Sequence, residues 1–279
     1  MKFVRYADTE IKSRGINHRV GSFRYKDLGE GVPGTPGNFF LRLVWSETDF
    51  FSPRHLHNFD QVRVQVQGEF DFATDGTMKL GTIGYFPEST PYGPQTSRQD
   101  TIQLVLQIGG PSGCGYLSEA ERVAAVEKLA ASGRFSEGRY FAAGDTTSTG
   151  VDSFQATWEA AMGRRMAYPK QRFQKPVLVH PDALTWLPVP GAAGVEHKRV
   201  WDYGRNTVGL DLYRLAPGAA LEVPGTACCF VEQGQGMVSC AGTQAPYGLR
   251  DVAHATEGEK LRLVAADATQ LIVFVHPTF

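Results

Sequence analysis

The residues best suited to chemistry lie close together in the stretch SPRHLHNFDQVRVQVQGEF, where one residue separates His55 from His57. Polar residues then alternate with valine, a pattern typical of a strand whose two faces differ. Residues of equal parity share a face of a strand, so the histidines would lie on the same face as Gln61, Arg63 and Gln65. Alternation alone leaves two interpretations open, since this polar face could meet solvent above a valine core or could line a site.

Composition is typical of a water-soluble globular protein. The 279 residues are 42% hydrophobic and 20% charged, and 28 basic against 29 acidic side chains give a formal net charge of −1. This balance gives no support for binding to nucleic acid or to an acidic membrane. The stretch MKFVRYADTEIKSRG lacks the apolar core of a signal peptide, and no run approaches the roughly 18 apolar residues of a membrane span. We therefore expect a cytoplasmic protein with four buried or partly buried, reduced cysteines.

The order of predicted elements is β-rich, helical, then β-rich. Strands are predicted over 39–47, 61–67 and 101–108, and again over 208–215, 228–232, 261–265 and 270–275. A capping box at Ser118 opens a predicted helix over 118–132, and a second helix is predicted over 153–166. The predicted division is an N-terminal barrel over 1–115, a helical connector over 116–198 and a C-terminal barrel over 199–279.

The histidine stretch resembles the first motif of the cupin superfamily, whose fold is a small double-stranded jelly roll. That motif is His-x-His, a short spacer, Glu, six residues and Gly. His55, His57 and Gly68 match it, and Gln61 stands in the glutamate slot. This chain therefore keeps two of the metal-ligand residues of the motif, and a glutamine replaces a third.

The second family motif, a glycine, a short strand and Pro-x-Gly-x-x-His, matches at Gly81 and Pro87, with Tyr92 where the third histidine ligand would stand. The later β module resembles the fold at Pro217-Gly218 but has no corresponding histidines. The resemblance implies an all-β fold of two cupin-type double-stranded β-helix (jelly-roll) barrels joined by a short helical connector. The first barrel would hold the active site and the second would be structural.

The resemblance also implies which face of the histidine strand points inward. In cupin barrels the His-x-His face lies inside, so the valines would meet the second barrel while Arg63 and Gln65 line a polar cavity. A buried arginine needs an anionic partner, because an unpaired buried charge is costly. A carboxylate substrate is one candidate partner, and Asp60 or Glu88 is the structural alternative.

A divalent transition metal at His55, His57 and Gln61 is one interpretation of these residues. Iron is the first choice, and manganese, zinc or nickel would suit the same donors. Tyr92 or a rotated Asp60 could complete the shell. The alternative is a site without metal, where the histidines bind substrate or move protons and Tyr92 donates a proton or a hydrogen bond.

Other polar side chains could contact a substrate in the same cavity. Beside Arg63 and Gln65, the candidates are Arg42, Gln95 and Gln103. The remaining histidines show no spacing typical of a site, and we expect surface or satisfied core roles for them: His18, His180, His197, His254 and His276.

The leading functional hypothesis is a metal-dependent enzyme that acts on a small aromatic or carboxylate-bearing metabolite. The resemblance favours a dioxygenase reaction. A redox-neutral isomerase, cyclase, lyase or hydrolase would instead use Tyr92 and a histidine as acid and base. A non-catalytic binding protein is the third hypothesis. All three hypotheses require a small molecule as the binding partner. The sequence leaves open whether the protein forms a homodimer and whether residues 110–170 form a lid.

Overall fold

The protein is built mostly of β-strands, and the predicted all-β class is confirmed. The computed structural model describes residues 1–15, 22–48, 50–113, 116–136, 138–146, 149–204 and 206–277. His18 and Cys114 lie outside these residues, and Cys228, Cys229 and Cys240 are free and buried, as predicted. Among the described residues, no helix is long and apolar enough to cross a membrane.

The elements follow one another in three groups. The first group is β1 (Lys2–Val4), β2 (Lys12–Gly15), β3 (Ser22–Glu30), β4 (Phe39–Ser46), β5 (Phe51–Ser52), β6 (Asp60–Gln67), β7 (Phe70–Asp71), β8 (Thr77–Met78), β9 (Ile83–Phe86), β10 (Gln95–Thr96) and β11 (Thr101–Ile108). The connector holds α1 (Glu119–Ala130), β12 (Gly133–Ser136), β13 (Arg139–Ala142), β14 (Val151–Asp152), α2 (Ser153–Met162), β15 (Val177–Val179) and β16 (Leu187–Pro188). The last group is β17 (Val195–Trp201), β18 (Gly209–Leu215), β19 (Ala220–Pro224), β20 (Ala227–Gln233), β21 (Gly236–Cys240), β22 (Thr243–Tyr247), β23 (Val252–Ala255), β24 (Lys260–Ala265) and β25 (Thr269–Val275).

Each β-rich group forms a barrel from a large and a small antiparallel sheet. The first barrel combines the order β15-β9-β6-β11-β4-β3-β2 with β5-β10-β7-β8. The second combines β1-β23-β20-β25-β18-β17-β16 with β19-β24-β21-β22. The strands cross the predicted divisions, since β1 pairs with β23 of the second barrel and β15 pairs with β9 of the first. The boundaries at 115 and 198 stay a prediction.

The even-numbered valines of β6 pack between the two barrels. Val62 and Val64 are buried in one core with Phe230 and Phe274 of the second barrel. Gln61, Arg63 and Gln65 of the same strand are buried too, on the inner side of the first barrel. The solvent-face interpretation is therefore wrong, because both faces of β6 are covered.

Two histidines at the contact between the barrels depart from expectation. His254 and His276 are both buried, with ring centroids 4.9 and 4.4 Å from that of Phe39. His254 Nε2 and both ring nitrogens of His276 lack a hydrogen-bond partner among the described residues. The expected surface or satisfied core role is wrong for this pair, because apolar packing surrounds their polar atoms.

The connector helices have the ends that local sequence dictates. Ser118 and Glu121 form the predicted capping box, in which Ser118 Oγ accepts from Glu121 N at 3.2 Å. Asp152 caps α2 by accepting from two backbone N–H groups. The helix ends at Met162, four residues before the predicted end at 166, and the next residue is Gly163, whose φ of +64° suits glycine.

Candidate functional site

Arg63 lies inside the first barrel, on the inward face of β6. Its side chain is 9% exposed, and its guanidinium lies 5.0–5.6 Å from the ring centroids of Phe72, Phe86 and Tyr92. Nη1 donates a hydrogen bond to Gln95 Oε1 at 2.7 Å. Loss of solvent lowers the pKa of Arg63 below its ordinary value, although the group stays a cation.

Gln61 accepts hydrogen bonds from this guanidinium. Its amide orientation follows from its neighbours. With the oxygen facing Arg63, Gln61 accepts from Nε at 2.8 Å and from Nη2 at 3.0 Å, and its nitrogen faces the Gln107 amide at 2.7 Å. The Gln107 amide is hydrogen-bonded in turn to the Tyr116 hydroxyl at 3.0 Å. Gln61, which stands in the glutamate slot of the motif, is thus hydrogen-bonded to the cation of Arg63.

Tyr92 connects Arg63 to the histidines. Its backbone forms an antiparallel bridge with His55, and its side chain is 1% exposed. The hydroxyl lies 3.4 Å from Arg63 Nη2, 3.3 Å from the Gln61 amide and 3.4 Å from His57 Nδ1. Tyr92 therefore lies beside both histidines, as the motif alignment predicts.

His55 and His57 are half-buried, with ring centroids 5.0 Å apart. His55 Nδ1 lies 2.7 Å from the carbonyl oxygen of Pro53, a contact that assigns the ring proton to Nδ1. His55 Nε2 then faces Gln95 Nε2 at 3.5 Å. His57 stacks on Phe59 at a centroid distance of 4.3 Å. The two imidazoles can contact one common ligand.

The charge of Arg63 has no carboxylate partner among the described residues. Asp60 pairs with Arg172 at 3.0 Å, and the Glu88 carboxylate accepts from Ser112 Oγ at 2.6 Å. The structural alternative that names Asp60 or Glu88 as the partner of Arg63 is therefore wrong. A buried cation with only neutral partners favours an anionic ligand.

Asp60 lies on the opposite face of β6 from Arg63. It shares that face with Val62, is fully buried, and accepts a hydrogen bond from Tyr85 Oη at 2.6 Å. Burial raises its pKa to about 6, while the bonds from Tyr85 and Arg172 act in the other direction. The expectation that Asp60 rotates into a metal shell is wrong, because its carboxylate is held on the other side of the sheet.

The donors beside the histidines do not fit a divalent metal. The described part of the chain holds no group of three His, Cys, Asp or Glu side chains arranged for an ion. An ion on the Gln61 oxygen would lie roughly 4 Å from the guanidinium of Arg63, where repulsion between +2 and +1 charges is about 8 kcal/mol at an effective dielectric constant of 20. A metal at His55, His57 and Gln61 stays a prediction that lacks its third donor.

Gln103 and Gln65 extend the polar network around Arg63. Gln103 Oε1 lies 3.5 Å from Arg63 Nη1, and Gln103 Nε2 donates to Gln65 Oε1 at 2.8 Å. Gln65 Nε2 donates to the carbonyl oxygen of Gln67 at 2.7 Å. Gln95 and Gln103 therefore contact the predicted site directly, whereas Gln65 positions Gln103.

Arg42 does not belong to this network. Its Nε donates to Asp27 at 2.7 Å, and its guanidinium lies 3.3 Å from the Phe40 ring centroid. Glu119 of α1 lies 3.9 Å away. Because carboxylates already pair with this cation, Arg42 has no evident role toward an anionic substrate, in contrast to its predicted role.

An aromatic wall that the sequence reasoning did not assign to the site lies beside His57. Phe59 packs edge to face with Tyr116 at 5.3 Å, and Phe154 of α2 lies 6.2 Å from Phe59 and 6.3 Å from His57. Phe59 shares the parity of the histidines, so strand alternation could have found it. The sequence gives no such signal for Phe154, because the helical spacing of its apolar residues predicts packing but does not show which residues they pack against.

Similarity to known proteins appears at the level of the fold. No family model and no curated protein matches the sequence. A candidate dioxygenase from Nostoc punctiforme superposes with a TM-score of 0.64 and 11% identity over 98% of this chain and 81% of its own. A candidate glyoxylate-induced protein from Pseudomonas aeruginosa gives 0.60 and 11% over 95% and 83%. Oxalate decarboxylase from Lactobacillus farciminis, in complex with formate, gives 0.57 and 12% over 99% and 86%.

These matches span both barrels. The chain therefore shares the two-barrel fold of these proteins, as the resemblance of its two motifs predicts. At 11–12% identity the similarity extends to the fold alone. Substrate and reaction have to be argued from the residues of the first barrel.

Proposed function

We propose that the protein is an enzyme that binds a small carboxylate-bearing molecule in its first barrel. The buried guanidinium of Arg63, surrounded by neutral partners, carries this proposal. Its two longest contacts, to Tyr92 Oη at 3.4 Å and to Gln103 Oε1 at 3.5 Å, involve both terminal nitrogens. A carboxylate that replaces these weak contacts gains two charge-assisted hydrogen bonds.

Small carboxylates also appear among the structural neighbours. One neighbour is an oxalate decarboxylase that holds formate, and oxalate and formate are both small carboxylates. The identity of 12% is too low to transfer a substrate. The neighbour therefore supplies ligands for a first screen, and the support for the proposal comes from the contacts of Arg63.

The arrangement favours a redox-neutral reaction in which Tyr92 and His57 move a proton. When Tyr92 Oη donates its proton to a bound substrate, the nearby Arg63 guanidinium stabilises the charge that develops on the oxygen. His57 Nδ1, 3.4 Å away, can return a proton to that oxygen. An isomerase, cyclase, lyase or hydrolase can use such a pair.

The metal-dependent dioxygenase is the second candidate. The 5.0 Å separation of the His55 and His57 rings suits two ligands of one ion. Its mark is turnover that requires oxygen and a bound metal. Incubation of small carboxylates with the protein in air and under argon, followed by NMR of the products, separates the two candidates.

Ligand binding tests the proposal before any turnover is found. We expect acetate, oxalate or benzoate to bind wild type by NMR titration, and Arg63→Met to weaken binding by about tenfold or more, the loss of ~1.4 kcal/mol or more that a charge-assisted contact supplies. Arg42→Met is the matched control, because its cation is already paired with Asp27. Equal affinity in wild type and Arg63→Met would contradict the proposal.

A further inference from the structure

We infer that Arg63 takes the place of a metal ion as the cationic centre of the first barrel, so that the site recognises a carboxylate without a metal. This inference takes its ligand class from the proposed function. Its claim about the metal stands on the contacts of Arg63 alone.

The first observation is where the chain departs from the family motif. Gln61 and Tyr92 stand in the slots of two metal ligands, and both contact the same guanidinium. Gln61 accepts from Arg63 Nε at 2.8 Å, and Tyr92 Oη lies 3.4 Å from Nη2. The two replaced ligands are thus organised around a fixed cation on the adjacent odd position of β6.

The second observation is the charge of the side chains around Arg63. The acceptors around the guanidinium are amide and hydroxyl oxygens, and none of them is a carboxylate. They belong to Gln61, Gln95, Gln103 and Tyr92. A glutamate in the slot of Gln61 would form an internal ion pair and cancel the charge of Arg63. A glutamine orients the guanidinium by the same geometry and leaves its charge for a ligand.

The third observation is the link from Arg63 to the retained histidines. Gln95 accepts from Arg63 Nη1 at 2.7 Å through Oε1, and its Nε2 faces His55 Nε2 at 3.5 Å. The Gln95 amide thus lies between the cation and an imidazole nitrogen of His55. The histidines are positioned by the arginine network, beside the anion that we propose it binds.

Metal content is the first test. Wild type is dialysed anaerobically against Fe²⁺, Mn²⁺ or Zn²⁺ and analysed by mass spectrometry, beside the His55→Ala/His57→Ala double variant. We expect the same low, substoichiometric content in both. One tightly bound metal per chain that the double variant loses would overturn the inference.

A pair of nearly isosteric substitutions tests the role of charge. Gln61→Glu places a carboxylate against Arg63, whereas Gln61→Met has similar volume and no charge. We expect Gln61→Glu to weaken acetate binding about tenfold or more, and Gln61→Met, which loses the orienting amide but leaves the charge of Arg63 unpaired, to weaken it less. Equal binding by folded Gln61→Glu and Gln61→Met would contradict the inference.

The converse test restores an anionic donor and removes the cation. The Gln61→Glu/Arg63→Met variant should gain a divalent ion at His55 and His57, and a folded variant that binds none would contradict the exclusion of metal by Arg63. Wild type that binds neither metal nor carboxylate would refute the proposed function and the carboxylate half of the inference, and it would leave the exclusion of metal by Arg63 standing. If the Gln61→Glu/Arg63→Met variant fails to fold, the inference is still tested by the metal content of wild type and by acetate binding to Gln61→Glu and Gln61→Met.

Discussion

At the residue scale, one hydroxyl group connects a buried charge to the half-buried histidines. The ring of Tyr92 is held by its backbone bridge to His55 and by packing against Phe86 at 4.7 Å. Packing and backbone therefore fix the ring independently of its hydroxyl. Removal of the hydroxyl isolates its chemical role from its structural one.

Tyr92→Phe should slow turnover of a carboxylate substrate by about 10²–10⁴-fold, the range for loss of a general acid or base. Affinity for the carboxylate should change little, because the guanidinium of Arg63 is retained. The measurement is kcat together with the dissociation constant by NMR. Tyr140→Phe is the control, since its hydroxyl contacts Ser132 in the connector. An unchanged kcat in Tyr92→Phe would show that the Tyr92 hydroxyl does not take part in proton transfer.

Parity is what made part of this site predictable from sequence. The spacing of His55 and His57 placed Arg63 on the same face, and the same rule could have excluded Asp60, which starts β6 with even parity. The partner of Asp60 was beyond prediction, because Arg172 is 112 residues away and reaches it through the connector. Pairing over such distances depends on the fold and leaves no local pattern.

At the element scale, α2 covers the histidine side of the first barrel. Asp152 caps the helix, and buried Trp158 anchors it. Phe154 at its first turn lies 6.3 Å from the His57 ring. The connector therefore places one aromatic side chain beside His57, which bears on the open question of a lid.

Phe154→Ala should expose His57 and accelerate its modification by diethyl pyrocarbonate several-fold. The cost in stability should stay below the about 3–5 kcal/mol of a fully buried phenylalanine, because Phe154 is only half-buried. Peptide mass spectrometry of the modified protein measures the rate at His57. Val123→Ala, at an exposed position of α1, is the control, and equal rates in the two variants would show that α2 does not limit access.

A second contact of the connector is the ion pair between Arg172 and Asp60. Burial raises the pKa of Asp60 to about 6 from 3.8, so its contribution to stability is largest below pH 4 and is lost as the pH rises through 6. Arg172 offsets part of that loss by pairing with the carboxylate at 3.0 Å. The connector thus stabilises β6 where the carboxylate is charged.

Arg172→Ala should therefore destabilise the fold more at pH 8 than at pH 5. Loss of one partner of a buried pair costs about 3–5 kcal/mol, and the partly exposed position of Arg172 should reduce that figure. The Asp60→Asn/Arg172→Ala variant should recover most of the stability at pH 8. Urea unfolding at both pH values is the measurement, and an equal loss at both would refute this account.

At the scale of the whole molecule, the two barrels share one apolar core that ends at a pair of buried histidines. His254 and His276 lie 5.6 Å apart between Phe39 and the second barrel. Burial lowers the pKa of His254 to about 4, with a smaller contribution from Lys2, and lowers that of His276 to about 3. Both rings are therefore neutral in the folded protein at neutral pH.

Because this pair lies at the contact between the barrels, we expect acid to weaken that contact before it unfolds either barrel. A lowered histidine pKa gives stability that is complete above pH 6.5 and is lost as the pH falls toward 4 and 3. For His254 alone the loss corresponds to about 3 kcal/mol, and His276 adds to it. Asp60 acts in the opposite direction by a similar amount, so the histidine pair outweighs it and wild type should weaken below pH 6.

The His254→Leu/His276→Leu variant should remove that acid sensitivity, because leucine fills the same apolar pocket without a charge to acquire. Burial of Asp60 acts in the opposite direction, so the variant should lose much less stability than wild type, which loses several kcal/mol between pH 6.5 and 4. Urea unfolding across this range measures both, and the exposed His180→Gln variant should follow wild type. Parallel curves for wild type and the double variant would mean that the charge between the barrels is neutralised by groups other than these two rings.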